Sequence, residues 1–274
     1  MMSNGPVLLM TSCINPQGMK FTKLQDNVER RKQYANALSF YLTNTRLKIV
    51  YCDNSGEEIA GLIKNMDDTR IELLSFNGNN YDVCLGKGYG ELEIIRYAMD
   101  HSRFLKNAKS VIKVTGRLIV ENLREVTRLN YRLFCRPKHF IFANELTKLH
   151  EFDSRCFYAS LDFLSCYFLN QPNTINDTEG RFFEHFLYDS IKNLPTSFVV
   201  SGFALPLVVN GVSGSTGSQY DDKQLNRLEK SARIRDFCQY EKRRFKGENQ
   251  RIYRKIRCVS SLARIKKALL VRFI

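Results

Sequence analysis

Apolar runs of strand length and periodic runs of helix length take turns along the first half of this chain. That alternation limits the fold more than any other feature. PVLLMTSCINP (6–16) reads as a strand and a polar loop. KLQDNVERRKQYANALSFYLTN follows, with Leu24, Val28, Ala35, Leu38, Tyr41 and Leu42 at helical spacing. KIVYC (48–52) is a short strand stopped by DNSGEE, and IELLSF is another. GKGYGELEIIRYAMDHSRFL is a glycine-rich turn opening a helix, with Leu92, Ile95, Met99 and Leu105 near one face. VIKVTGRLIVEN (111–122) is a buried strand that carries Lys113, Thr115, Gly116 and Arg117 where it ends. Alternating elements of this kind form right-handed βαβ units, so the expected class is α/β with a mainly parallel central sheet flanked by helices.

The later chain is less regular. YRLFCR and HFIFANE look like strands, and RCFYASLDFLSCYFL suits strand or helix. RFFEHFLYDSIKNL reads as a helix through Phe182, Phe183, Phe186, Leu187 and Ile191, and SFVVSGFALPLVV as extended and then looped. With 43% hydrophobic and 12% aromatic residues, the chain can build a sizeable core and is neither disordered nor fibrous. Its eight cysteines include no C-x-x-C pair, which removes the zinc-ribbon and thioredoxin readings. Most lie in apolar runs, as free thiols do in a reducing cytoplasm. No signal peptide is expected, and no stretch reaches the ~18 apolar residues of a membrane-spanning helix. FVVSGFALPLVV comes nearest and is broken by Gly202 and Pro206.

Charge divides the chain. From Lys223 to Ile274 there are 17 Lys and Arg against 4 Asp and Glu, so this segment carries +13 of the net +14. Residues 1–222 read as the globular domain and 223–274 as a basic helical tail. In the tail Val259, Leu262, Ile265, Leu269, Leu270 and Phe273 fall on one side of a helical wheel. Arg257, Arg264, Lys267 and Arg272 fall on the other, as in a helix lying on an anionic bilayer. The plain alternative is a helix packed on its own domain with a solvated basic face.

In open α/β sheets ligands sit beyond the carboxyl ends of the strands. Three polar clusters fall there: DNSG (53–56), GKGYGE (86–91) and TGR (115–117). Asp53, Asn54 and Ser55 make either an Asx turn or the contacts to a base or ribose. Lys87 and Gly88 stand at a helix N-terminus, which suits phosphate, although the spacing is neither the dinucleotide fingerprint nor a P-loop. Arg117 either pairs with a carboxylate such as Glu121 or grips a phosphate or sugar oxygen, with Lys113 beside it if the Gly116 turn leaves both on one face. Asp153, Asp177, Glu179 and Glu184 supply acids, and Glu184 has the aromatic neighbours that raise a carboxyl towards general-base use. VSGSTGSQYDD (212–222) is a flexible linker or a loop whose Ser213, Ser215 and Thr216 face an acceptor or phosphate.

DNSG after a strand, KGYGE opening a helix, IKVTGR…N, DSRCF and FFEH, in this order over roughly 5–220, resemble bacterial capsule and lipopolysaccharide-type glycosyltransferases with a GT-A-like (Rossmann-like) nucleotide-sugar domain. The resemblance implies a cytosolic enzyme, peripheral on the cytoplasmic face of the inner membrane and its anionic lipids. It would use a nucleoside-diphosphate sugar as donor and a lipid-linked or growing glycan as acceptor, with no permanently bound cofactor. Asp53 would meet the base, and Lys87, Lys113, Thr115, Gly116 and Arg117 the diphosphate. Glu184 would be the base, with Asp153 in reserve. TGR falls where many such enzymes carry a D-x-D metal motif, and it lacks the carboxylate pair. Fixed cations would then stabilise the leaving phosphate without a divalent metal. Two other classes compete: a nucleic-acid-binding protein using the basic tail with Phe237, Tyr240, Phe245 and Tyr253 as stacking groups, and a nucleotide-sugar-processing enzyme without transfer. A non-catalytic scaffold is a further reading. The neutral body carries no nucleic-acid motif, so no nucleic-acid partner is expected.

Overall fold

The alternating pattern forms a seven-stranded sheet with helices on both faces. The computed structural model describes residues 5–59, 69–146 and 150–245. In chain order the elements are β1 (Val7–Ser12), α1 (Asn27–Asn44), β2 (Lys48–Asp53), β3 (Ile71–Ser75), α2 (Gly86–His101), the one-turn α3 (Arg103–Lys106), β4 (Ser110–Thr115) and β5 (Ile119–Val120). There follow α4 (Leu123–Leu133), β6 (Phe140–Phe142), β7 (Glu145–Leu146), β8 (Glu151–Phe152), β9 (Cys156–Ser160), α5 (Phe183–Lys192), β10 (Val199–Ser201), β11 (Val209–Val212), β12 (Gln219–Asp221) and α6 (Arg227–Phe245).

The sheet order is β10-β6-β9-β4-β1-β2-β3. All neighbours are parallel except β9, which runs antiparallel to both β4 and β6. β1 is central and buried throughout. Its Leu8 and Met10 pack in one layer with α1, α4 and α6, while Val7 and Leu9 pack in the other with α2 and α5. Burial on both faces explains the unbroken apolar run, because alternate side chains serve opposite layers. From β1 the chain steps to β2 and β3 on one side, and β4 returns to the other. The gap above β1 and β4 is therefore a topological switch point, where open α/β sheets place ligands.

Local chemistry sets the element ends. Asp26 caps α1 by accepting from the Glu29 amide at 3.0 Å, so the helix starts at Asn27, after the expected Leu24. Its buried face is Arg30, Tyr34, Ala37, Leu38 and Tyr41, and Val28 is 78% exposed. YRLFCR is not a strand. It continues the end of α4, whose Val126, Leu129 and Leu133 share a buried stripe, and it stops at Cys135 and Arg136, both in left-handed backbone. VIKVTGRLIVEN is two strands: β4 belongs to the large sheet, and β5 joins β11 and β12 in a three-stranded one. RCFYASLDFLSCYFL divides as well, into β9 and a π-helical turn at Phe163–Phe168.

The first part of the basic segment is built into the core. Ile234 and Cys238 of α6 are buried, Phe237 meets Phe134 edge-on at 6.1 Å, and Lys230 pairs with Glu125 at 2.7 Å. Phe237 is thus a packing residue, not a free stacking group. Arg257, Arg264, Lys267, Phe273 and Tyr253 lie outside the described residues. Among the described residues every cysteine is free, and no helix is long and apolar enough to cross a membrane.

Candidate functional site

A cavity of about 570 Å³ opens over the carboxyl ends of β1, β2 and β4, a volume that suits a small-molecule ligand. Thr11, Ser12 and Cys13 leave β1 into its floor, Asn54 follows β2, and Thr115 ends β4. Gly116 lets β1 and β4 close up: its amide donates to the Thr11 carbonyl at 2.8 Å, and a Cβ there would lie 2.6 Å from that oxygen.

Two guanidiniums line the cavity without a carboxylate partner. Arg30, on the buried face of α1, donates to the carbonyls of Cys13 (2.5 and 2.8 Å) and Leu24 (3.1 Å). Arg117 donates to the Val212 carbonyl at 2.5 Å and lies against Gly214, where a Cβ would come within 2.1 Å of Nη2. Among the described residues neither forms an ion pair, and Glu121 accepts instead from Gln224 at 3.1 Å. Burial first, and then the neighbouring Arg30, pull the Arg117 pKa below its usual value. Buried cations left unpaired are costly, and an anion in the cavity would relieve that cost. Arg155 adds a third guanidinium, gripped by Asp153 through bonds of 2.7 and 2.9 Å and lying 4.9 Å over the Tyr220 ring. Lys87 is exposed at the mouth, and its ammonium donates to Ser215 Oγ.

Of the two readings of 212–222, linker or loop, the structure shows a loop at the cavity. Its two arms are β11 and β12, paired as a hairpin that roofs the guanidinium side with Ser213, Gly214, Ser215 and Tyr220. Thr216 is turned away, within 2.5 Å of Ser218 Oγ.

Carboxylates form the remaining wall. Glu91 on α2 accepts from Thr11 Oγ1 at 2.8 Å and pairs with Lys113. Lys113 points into the α2–α5 layer and is 0% exposed. Its ammonium also donates to the Ser154 carbonyl at 2.6 Å and sits 5.5 Å from the Phe183 ring. Glu184, in the first turn of α5, accepts from Ser154 Oγ at 2.5 Å, and burial raises its pKa. Asp177 meets the N-terminus of α2: Oδ2 accepts from the Gly88 amide at 3.3 Å, while the buried Oδ1 has no partner. Burial raises its pKa too. Gly86 and Gly88 are needed there, since a Cβ on Gly86 would lie 2.4 Å from Asp177. Asn54 Oδ1 and Asn79 Oδ1 are two further buried oxygens on this cavity without a partner. Among the described residues no group of three or more His, Cys, Asp or Glu gathers as metal ligands.

The three sequence clusters converge, with changed roles. Asn54, Lys87, Gly88, Thr115, Arg117, Ser213, Ser215 and Glu184 all line the cavity. Asp53 does not, because four donors fill its carboxylate: Ser12 Oγ (2.7 Å), the Ile14 amide (2.8 Å), the Ser55 amide (2.8 Å) and Ser55 Oγ (2.5 Å). Asp53 and Ser55 therefore bind the β1 and β2 loops together. Lys113 faces Glu91 beneath the floor, so the Gly116 turn has parted it from Arg117. Asp153 is spent on Arg155, which removes it as a reserve base. The helix N-terminus expected to hold phosphate already holds Asp177. Sequence reasoning missed Arg30, Glu91 and Arg155 as site residues. The available signal for Arg30 was an arginine in register with Tyr34, Leu38 and Tyr41 on a buried stripe. For Glu91 it was the i, i+4 spacing from Lys87. No family model matches the chain, and no curated protein matches it.

Proposed function

We propose that this chain is a glycosyltransferase with a GT-A-like domain, moving a sugar from a nucleoside-diphosphate sugar to a lipid-linked or growing glycan in bacterial surface-polysaccharide synthesis. One observation carries the reading: the buried Arg30 and the half-buried Arg117, both without a carboxylate partner, share a cavity with Glu184, whose carboxyl is pushed up by burial. A diphosphate satisfies the first pair and an acceptor hydroxyl the second group. In the reaction Glu184 takes the proton of the acceptor hydroxyl, and the oxygen bonds to the anomeric carbon. The bond from that carbon to the diphosphate oxygen breaks, and its electron pair goes to the phosphate. Arg117, Arg30 and Lys87 stabilise the departing charge, as fixed dipoles and cations do in a preorganised site. Glu91 offers negative charge to the oxocarbenium-like sugar. A strand order that reverses at β1 and β4, with the ligand groups beyond the strand ends, supports the same reading.

The experiment is a thermal-shift panel of nucleoside diphosphates and their sugars, with and without EDTA, followed by a transfer assay. One diphosphate class is expected to stabilise the protein, and chelator-insensitive binding would identify the arginines as the charge carriers. Glu184→Gln is expected to lower transfer by at least ~10²-fold, in the range general-base removal costs, while diphosphate binding persists. Full transfer by that variant, or a panel without any stabilising diphosphate, refutes the proposal. In this reading the basic segment keeps the enzyme at the inner membrane beside its acceptor.

A further inference from the structure

The charges of the cavity are largely sorted by the layer that delivers them; Lys87, at the start of α2, is the exception, and its ammonium donates across the mouth to Ser215. The guanidiniums without a carboxylate partner come from α1 and from the turn after β4, under the β11–β12 hairpin. The carboxylates come from elements packed on the opposite face: Glu91 from α2, Asp177 from the turn that meets α2, and Glu184 from α5. Glu151 of β8, beside α5, extends the acidic side and pairs with His185 at 3.2 Å.

That side also has an apolar rim. Phe182 and Leu146 line the cavity and are each 37% exposed. The Phe182 ring lies stacked on His185 at 5.7 Å, which fixes its orientation. Behind the rim, Asp177 is only 3% exposed and its Oδ1 has no donor. A carboxylate has about four acceptor positions. Glu91 uses two of its own on Thr11 and Lys113, and Glu184 one on Ser154. The wall thus asks for a ligand with several hydroxyl or amino donors and one apolar face. A sugar ring has both. An added carboxylate on that sugar would face like charge in a partly dry space, where such pairs repel strongly.

We propose that this acidic, aromatic-rimmed side is the acceptor subsite, and that it selects a neutral or amino sugar and rejects uronic-type acids. The inference rests on the glycosyl-transfer reading for its name, but its test is separate. Saturation-transfer NMR would be run on the full chain with two sets of methyl glycosides. The first holds glucoside, galactoside, mannoside, N-acetylglucosaminide and glucosaminide, and the second glucuronide and galacturonide. At least one member of the first set is expected to saturate, and neither uronide. Phe182→Ala should remove the signal. Asp177→Asn, which keeps an oxygen for the Gly88 amide, should raise uronide binding by roughly tenfold, the scale of one close like-charge contact. A uronide that saturates as strongly as the neutral sugars overturns the inference, and so does the absence of any Phe182-dependent signal. Glycoside binding without diphosphate binding would keep this subsite and end the transferase reading; diphosphate binding without glycoside binding would do the reverse.

Discussion

A guanidinium drawn out of water and denied a carboxylate is an uncomfortable residue, and Arg117, half-buried against the hairpin with its pKa lowered by burial, is one such case. Replacing it tests what the discomfort is for. Arg117→Ala is expected to weaken nucleoside-diphosphate binding by about 10–100-fold, the worth of one or two charged hydrogen bonds. Arg117→Lys should recover little, since an ammonium lacks the planar fork. Calorimetric titration of both variants checks this. Glu184 gives a pH signature. Its folded pKa lies above the unfolded one, so folding takes up a proton between the two values, and stability falls as pH rises through that window. Glu184→Gln should therefore melt no lower than the parent at neutral pH while losing transfer. As a base it acts deprotonated, so kcat/KM should climb with pH along a limb centred above the ordinary glutamate value. A limb at the ordinary value would count against it. At this scale the sequence was informative about residue type and silent about partners. Lys113 and Arg117 look alike in VIKVTGR, yet one is spent on Glu91 and the other faces the cavity, because backbone turning at Gly116 is not written in side-chain type. Asp53 likewise looked like a ligand and proves to be a cross-brace.

Among the elements, the β11–β12 hairpin meets the site through Val212, Ser215 and Tyr220, and it packs on Arg117 most closely at Gly214. A Cβ at Gly214 would come within 2.1 Å of the Arg117 Nη2 atom. Gly214→Ala is expected to mimic Arg117→Ala in diphosphate affinity while changing the melting temperature little, because a flexible side-chain end can move aside. Gly116→Ala differs: there the obstacle is the Thr11 backbone, which cannot move without parting β1 from β4. A loss of roughly 1–3 kcal/mol in urea unfolding is expected, as for other overpacked sites. Elements with one clean period were legible. The α2 and α5 helices, β1 to β4 and the parallel sense of the first sheet half all follow from spacing. The end of α4 was not, since Tyr131, Leu133 and Cys135 alternate like a strand and only the partners of Val126 and Leu129 reveal the helix. Sequence left 212–222 open between linker and loop for a related reason: small polar residues suit a flexible tether and a tight hairpin equally well.

For the molecule as a whole, α6 is a structural part of the body. Ile234→Ala should cost about 2–5 kcal/mol, the usual range for emptying a core position of that size, measurable by denaturant unfolding. Deleting residues 246–274 should leave that stability unchanged and lower pelleting with anionic vesicles. If the deletion instead destabilised the chain, the basic segment would be part of the core beyond α6. The two-part division by charge was therefore informative about composition and imprecise about packing. One further consequence follows from β9, the strand that points the other way. Around the rim, the chain is leaving β1, β2 and β4 when it reaches the cavity, but it is arriving at β9, so Asp153, Ser154 and Arg155 stand ahead of their strand and not behind it. Scanning only what comes after each strand finds one arc of such a ring and overlooks the other, and lengthening the approach to β9 would retune that missing arc while leaving the parallel strands untouched.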